Sequence, residues 1–192
     1  MNNEVRIGLI AGATILAGLC TTQCNSKPAT TTAIEDASVD SIKQDGNLIV
    51  LTLEGPTTFS ATTEGAIGYE SDLVTAFADD LGVTPRFIQM DSIDELLDAM
   101  EEGRGHLAAA NLTMTDARTD RLSFGPAYKN VEDSVVCHQK GPAPTTIKGL
   151  AEVDLTVLRG SSYDSTLQTL KKDHPDLEWK TALGGSALPM LR

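Results

Sequence analysis

Arg118 is the residue best suited to recognising a small ligand. A guanidinium presents a planar fork of donors that matches a carboxylate in two parallel hydrogen bonds. It sits at the end of AAANLTMTDAR, residues 108–118, where a run of small apolar residues turns polar through Asn111, Thr113 and Thr115. An apolar strand end that delivers hydroxyls and one arginine to the same place reads as a site for a small carboxylate. The plain alternative is a surface loop whose arginine pairs with Asp116 or Asp120, a contact worth about 0–1 kcal/mol. A second candidate is Gly160-Ser161-Ser162, a glycine turn and serine pair between an apolar strand pattern and a helix pattern. Free N–H groups and hydroxyls at a helix start favour anions. The alternative there is ordinary N-capping by Ser161 or Ser162. Taken together, the two points fit one ligand carboxylate held in a cleft.

Other chemistries find less support. Glu70 is a weak candidate for a catalytic acid, because it falls at a helix start, where an acid suits the macrodipole. No Ser-His-Asp or Cys-His arrangement can be argued from spacing, so no catalytic residue is expected. The histidines, His106, His138 and His174, are scattered, and no cysteine spacing fits zinc. No metal or cofactor is expected. Cys137 lies in SVVCHQ and reads as a small buried hydrophobe. The formal charge is −12, with no basic run, which argues against nucleic acid.

The elements that must position these residues follow from hydrophobic periodicity. Asn47–Leu53 (NLIVLTL) is a buried strand, followed by a turn at Glu54-Gly55-Pro56. Residues 68–81 form a helix with Leu73, Phe77 and Leu81 inward, beside Val74 and Ala78, ended by Gly82. Residues 84–89 are a strand. Ser92 and Glu95 form a capping box for a helix whose buried face is Ile93, Leu96, Leu97 and Met100, ended by Gly103. Residues 106–110 are the third strand. Alternating β and α with short links gives an α/β layer on a largely parallel sheet. Ligands in such sheets sit beyond the carboxyl ends of the strands, and residues 108–118 begin at one. A strand-like piece at 132–138 and the Pro/Gly-rich 140–144 lead into a second unit: strand 154–158, helix 163–172, strand 177–181, and a first helical turn at 186–192.

At the other end, residues 7–19 (IGLIAGATILAGL) are apolar and small, too short for a confident transmembrane helix, which needs ~20 residues, and suited to a signal peptide. Cys20 follows at once, the placement of a lipidated cysteine. Unlipidated export and an uncleaved anchor are the alternatives. The organisation expected is a targeting segment at 1–20, a flexible tether at 21–46 with a helix near 38–44 as its alternative, a first lobe at 47–137 and a partial second lobe at 138–192.

Several of these stretches together resemble the family 3 solute-binding proteins, the periplasmic amino-acid receptors of transport systems. GYESDL at 68–73 resembles the family signature, with Ser71 and Phe77 as departures. LTMTDAR at 112–118 is similar to the segment whose arginine takes the ligand α-carboxylate; SFGPAY at 123–128 resembles an aromatic-edged family turn; Gly160-Ser161-Ser162 resembles the second-lobe clamp. GPTTF at 55–59, GSSY at 160–163 and DLEW at 176–179 are most similar to the receptor-like N-terminal domain of the membrane-bound lytic murein transglycosylase F family. The resemblance implies an α/β, periplasmic-binding-protein-like two-lobed fold with an incomplete second lobe. It implies an exported receptor-like module for a small amino acid or peptide-like carboxylate, regulatory or sensory for a cell-wall enzyme or a transport system. The rival implication is the N-terminal fragment of a peptidoglycan lytic transglycosylase. Ligand residues would be Arg118, Thr113, Asn111, Ser161, Ser162 and Phe59, with Phe59 equally readable as a core aromatic. Hinge motion near Val131–Pro142 would close the lobes. Partners would be an amino acid, a peptide or peptidoglycan fragments, and a membrane through the N-terminal anchor. The location would be the periplasm or cell envelope, with an outer-membrane lipoprotein as the finer reading. His106 stands where that family usually has Asp.

Overall fold

Strand β1 (Asn47–Leu53) is the middle strand of a three-stranded sheet and carries hydrophobic residues on both faces. The computed structural model describes residues 32–63, 65–138, 140–141, 143–187 and 190; the expected targeting segment and Cys20 lie outside the described residues. Ahead of β1 comes α1 (Val39–Asp45), capped by the Ser38 hydroxyl and ended by Gly46 in the left-handed region. The expected tether therefore stops short of Gly46. Ile42 on α1 is 6% exposed and belongs to the core, so the helix offered as the alternative at 38–44 is the one that forms.

After β1, a short antiparallel hairpin, β2 (Ser60–Thr62) and β3 (Gly65–Ile67), leads into α2 (Tyr69–Leu81). Next come β4 (Thr84–Met90), α3 (Ile93–Glu101) and β5 (Leu107–Ala108). The sheet order is β4-β1-β5, all parallel, with β1 in register from Asn47 opposite Thr84 to Leu53 opposite Met90. Alternation along β1 sends Leu48 and Val50 towards α1 and α2, and Leu51 and Leu53 towards α3. Leu48, Val50 and Leu51 are at most 1% exposed, and burial of each such side chain contributes about 1.5–3 kcal/mol. The Ser92 cap forms, its hydroxyl accepting from the Glu95 N–H at 3.2 Å, but the reciprocal half differs from the capping box read: the Glu95 carboxylate reaches one residue further back and accepts from the Asp91 N–H at 2.9 Å. Met100 is half-buried, and Ala99 fills the buried position instead.

Helix α2 departs from the reading in its rotation. Leu73 and Phe77 are 43% and 48% exposed, while Glu70, Ser71, Val74 and Ala78 are buried. The cause lies at its N-terminus. The Thr57 and Thr58 carbonyls accept from the Glu70 and Ser71 N–H groups at 3.1 Å each, pinning the first turn to the loop after β1. Gly68 is required there. Its φ is +141°, and a Cβ would lie 2.5 Å from the Thr58 carbonyl oxygen.

The third strand is shorter than 106–110, because its flanks bond to β1 outside a regular ladder. His106 N–H donates to the Ile49 carbonyl, Ala109 N–H donates to that of Leu51, and the Thr52 hydroxyl donates to the Ala109 carbonyl at 2.6 Å. Beyond α4 (Asp116–Thr119) the described residues have no regular secondary structure until α5 (Ile147–Leu150). The expected strand at 132–138 does not form. Residues 132–138 are exposed and unladdered, and Cys137, read as buried, is exposed. The second unit is β6 (Thr156–Leu158), α6 (Ser162–Leu170) and β7 (Lys180–Ala182), with β6 and β7 parallel. Its core is small: Val157, Leu167 and Leu177 are buried, with Trp179 packed alongside. Each strand here is shorter than read. Leu177 is fully buried yet precedes β7, so burial rather than pairing accounts for its apolar type. Of the expected turn at 186–192, only Ser186, Ala187 and Met190 are among the described residues, and Met190 N–H donates to the Ala187 carbonyl.

Candidate ligand site

Residue Asn111 starts the site. It follows β5 with φ +54°, a left-handed conformation that asparagine tolerates better than most residues, and so bends the chain out of the sheet. The polar segment 111–115 then leads into α4, which carries Arg118. Backbone bonds from Arg118, Thr119 and Leu122 set this turn, the first two to the Thr115 carbonyl and the third to that of Arg118.

Arg118 is only 7% exposed. Its Nη1 donates to the Thr113 carbonyl at 2.9 Å, and its Nη2 donates to the Gly160 carbonyl at 3.0 Å. The second bond joins α4 to the turn between β6 and α6. Ser162 lies alongside, its hydroxyl donating to that of Thr113 at 3.3 Å. Burial weakens the guanidinium's hold on its proton, opposed by the nearby Asp94 carboxylate, and the arginine remains charged. Among the described residues no carboxylate forms an ion pair with it. The surface alternative fails on this geometry, because neither Asp116 nor Asp120 is its partner. The guanidinium's direct hydrogen bonds go to neutral carbonyls, with Asp94 near but not paired, so an anion bonded directly to it would add to its stabilisation.

Gly160 has φ +70°, and a Cβ there would run into the Asp94 carboxylate. Asp94 stands in the first turn of α3, so α3, α4 and the β6–α6 turn meet at one point. Nothing in a single sequence marks Asp94 as part of this junction, since an acid in a helix's first turn is common. Ser161 is buried but committed to its own helix. Its hydroxyl donates to the Leu158 carbonyl at 2.7 Å and accepts from the Asp164 N–H at 3.2 Å, the capping alternative. Asp164 in turn accepts from the Trp179 indole at 2.9 Å.

The structure thus brings Arg118, Thr113 and Ser162 together, with Ser161 behind them. Asn111 is exposed, and no bond joins its side chain to the group. Phe59 goes elsewhere: its ring packs on Phe87 with centroids 5.0 Å apart, the core-aromatic alternative. A cleft of about 670 Å³ opens beyond the carboxyl ends of β1 and β4, lined by Glu54, Ser60, Gln89 and Asp91 on one side and Leu183 to Ser186 on the other. None of the residues expected to bind ligand lines it. Elsewhere, Glu70 is 6% exposed and accepts from the Tyr128 hydroxyl, whose pKa is raised by burial and by this carboxylate. This contact ties the turn at 123–128 to α2 and gives Glu70 a structural partner.

A parallel sheet with a polar strand end facing a second α/β unit is the arrangement that the family resemblance implies, and the comparisons agree with it. Residues 48–183 match the model of the bacterial extracellular solute-binding proteins, family 3. The chain belongs to that family. A membrane-bound lytic murein transglycosylase F from Maricaulis maris is 47% identical over 151 residues, covering 78% of this chain and 33% of that protein. A membrane-bound lytic murein transglycosylase F from Pseudomonas putida is 34% identical over 185 residues, covering 96% of this chain and 36% of that protein. The chain thus spans about a third of the length of the curated relatives it matches. Among solved structures, an amino acid ABC transporter substrate-binding protein from Streptococcus pneumoniae, bound to L-arginine, superposes with a TM-score of 0.68. It is 25% identical and covers 82% of this chain and 66% of its own. The fold is therefore the α/β periplasmic-binding-protein-like one, and this chain is a solute-binding domain similar to the N-terminal part of those transglycosylases.

Proposed function

We propose that this family 3 domain binds a small amino acid or peptide-like ligand through its carboxylate, with Arg118 as the anchor. The observation that carries the reading is a guanidinium that is nine-tenths buried, on α4 beyond the carboxyl end of β5, and bonded directly to no carboxylate among the described residues. A ligand carboxylate would supply a directly bonded negative charge, beyond the more distant one of Asp94, and can take two of the donors at once. Thr113 and Ser162 would add hydroxyls from the two sides, Ser161 would hold the second turn in place, and Asn111 would lie at the rim. The lobes would be residues 47–137 and 138–192, hinged near Val131–Pro142. Pro142 lies outside the described residues, and the described part of that stretch has no regular secondary structure.

The M. maris relative, at 47% identity, favours a cell-wall setting. In this reading the domain is the regulatory, receptor-like part of a peptidoglycan-cleaving enzyme of the cell envelope and responds to amino acids or muropeptides. Sequencing the reading frame past the Arg192 codon tests that setting; a stop codon there argues against it. Titration calorimetry with a panel of L-amino acids and muropeptides tests the site. Heat is expected with at least one of them in the wild type and none with Arg118→Ala. Equal binding by the two proteins overturns the assignment.

A further inference from the structure

We propose that the outward face of α2 is a docking surface for a basic amphipathic helix of a partner protein. The surface shares no residue with the Arg118 junction and stands or falls independently of the carboxylate reading.

Three observations carry it. First, α2 presents a stripe of large apolar side chains to solvent. Tyr69, Leu73 and Phe77, spaced by four, are 52%, 43% and 48% exposed. The Tyr128 ring extends the stripe, 53% exposed and 6.0 Å from that of Tyr69. The chain has one Trp, three Tyr and four Phe in 192 residues, and three of them stand here. Single exposed apolar residues are ordinary, but a contiguous patch with a polar rim marks an interaction surface.

Second, the fold holds this face outward. The bonds from the Glu70 and Ser71 N–H groups to the Thr57 and Thr58 carbonyls fix the rotation that turns Val74 and Ala78 in and Leu73 and Phe77 out. The buried Glu70 carboxylate accepts from the Tyr128 hydroxyl and keeps that ring beside Tyr69. A preorganised patch loses little side-chain freedom on docking.

Third, the rim is acidic. α2 carries Asp72, Asp79 and Asp80, all exposed, and no Lys or Arg. At about 3.6 residues per turn, Asp72 and Asp79 run along one side of the stripe and Asp80 stands at its C-terminal end.

Spacing, area and charge together define the occupant. Side chains at i, i+4 and i+8 form a ridge about 12 Å long, which fits between the ridges of a second helix. Lys or Arg beside the apolar stripe of that helix would meet the Asp rim, speeding encounter and fixing orientation. A second copy of this chain would set acid against acid. Four half-exposed side chains also offer only about 400 Å², against about 800 Å² per partner in a stable interface. An anionic lipid surface is repelled as a second copy is.

The test titrates the isotope-labelled full chain with a synthetic helical peptide of Leu and Lys that has one apolar face. The peptide is expected to shift the amide resonances of α2 and Tyr128. It is expected to bind the Leu73→Ser, Phe77→Ser double variant at least tenfold more weakly than wild type. The Asp72→Asn, Asp79→Asn, Asp80→Asn triple variant is expected to bind several-fold more weakly and with a flatter salt dependence. Far-UV circular dichroism verifies that the variants are folded, and Phe77→Ser alone carries the comparison if the double variant is not. Absence of shifts on α2, or equal affinity for wild type and the apolar variant, overturns the proposal. So does equal binding of a scrambled peptide without an apolar face, or of one with Glu in place of Lys. Sedimentation velocity and flotation with phosphatidylglycerol vesicles address the other occupants. A dimer or vesicle binding that the double variant abolishes puts a second copy or a membrane on this face and overturns the partner helix.

Discussion

At the residue scale, His106 shows how one side chain can be structural where the family pattern has an acid. Its Nδ1 accepts from the Ile49 N–H at 2.9 Å, which requires an unprotonated Nδ1. Burial lowers its pKa below the ordinary 6.5, only partly opposed by Asp45. As pH falls, the unfolded chain therefore takes up this proton first. The stability that His106 provides is complete above about 6.5 and declines as pH falls towards the folded-state pKa. His106→Asn keeps an acceptor and removes the titration. Urea denaturation from about pH 7.5 to 5 is expected to show a steeper loss for wild type than for this variant, and parallel curves would refute the role. Arg118 and Gly160 were legible in the sequence as anion-favouring types at a strand end and a turn. Their direct bond was not, because it joins residues 42 positions apart through a backbone carbonyl, an atom every residue carries. Asp94 was illegible for the same kind of reason.

At the element scale, β1 and α3 follow the sequence closely, whereas α2 is rotated. β1 was legible because an uninterrupted β-rich run needs burial on both faces. α3 was legible because Ser92 and Glu95 mark its start and its large apolar residues share one face. α2 offers two apolar faces, Leu73 with Phe77 and Val74 with Ala78, and side-chain size favours the wrong one. Backbone bonds from Glu70 and Ser71 to Thr57 and Thr58 decide the rotation, and periodicity is blind to them. Two substitutions separate the cases. Leu96→Ala on α3, at a fully buried position, is expected to cost about 2–5 kcal/mol. Phe77→Ser on α2 is expected to stay within about 0.5 kcal/mol. Chemical denaturation of both checks this, and a large loss for Phe77→Ser would mean that the exposed face is covered.

At the scale of the whole molecule, the two units are unequal. The parallel sheet is packed on both faces by separate hydrophobic clusters, while β6, α6 and β7 enclose a core of Val157, Leu167 and Leu177. Residues 125–138 between them are exposed and unladdered. Amide hydrogen exchange is expected to be slowest in β1 and at least tenfold faster in β6 and β7, and limited proteolysis is expected to cut first within 125–138. Equal protection in β1 and β6 would contradict this picture. The α/β class and the sheet were legible because they rest on periodicity. The weak second sheet was not, because Leu155 to Leu158 and Leu177 look as apolar as any core strand and only their packing shows how little they enclose.

The central place of β1 also bears on how the chain is made. Among the described residues it is the first strand in chain order, yet it pairs with β4 and β5, which begin at Thr84 and Leu107. A hairpin could close as it emerges, but parallel partners must wait for the intervening helix and strand. Until then NLIVLTL has two open edges and no partner, the kind of segment that invites association between nascent chains. A holding factor that engages residues 47–53 during that interval would raise the yield of folded protein while leaving the stability of the finished fold unchanged.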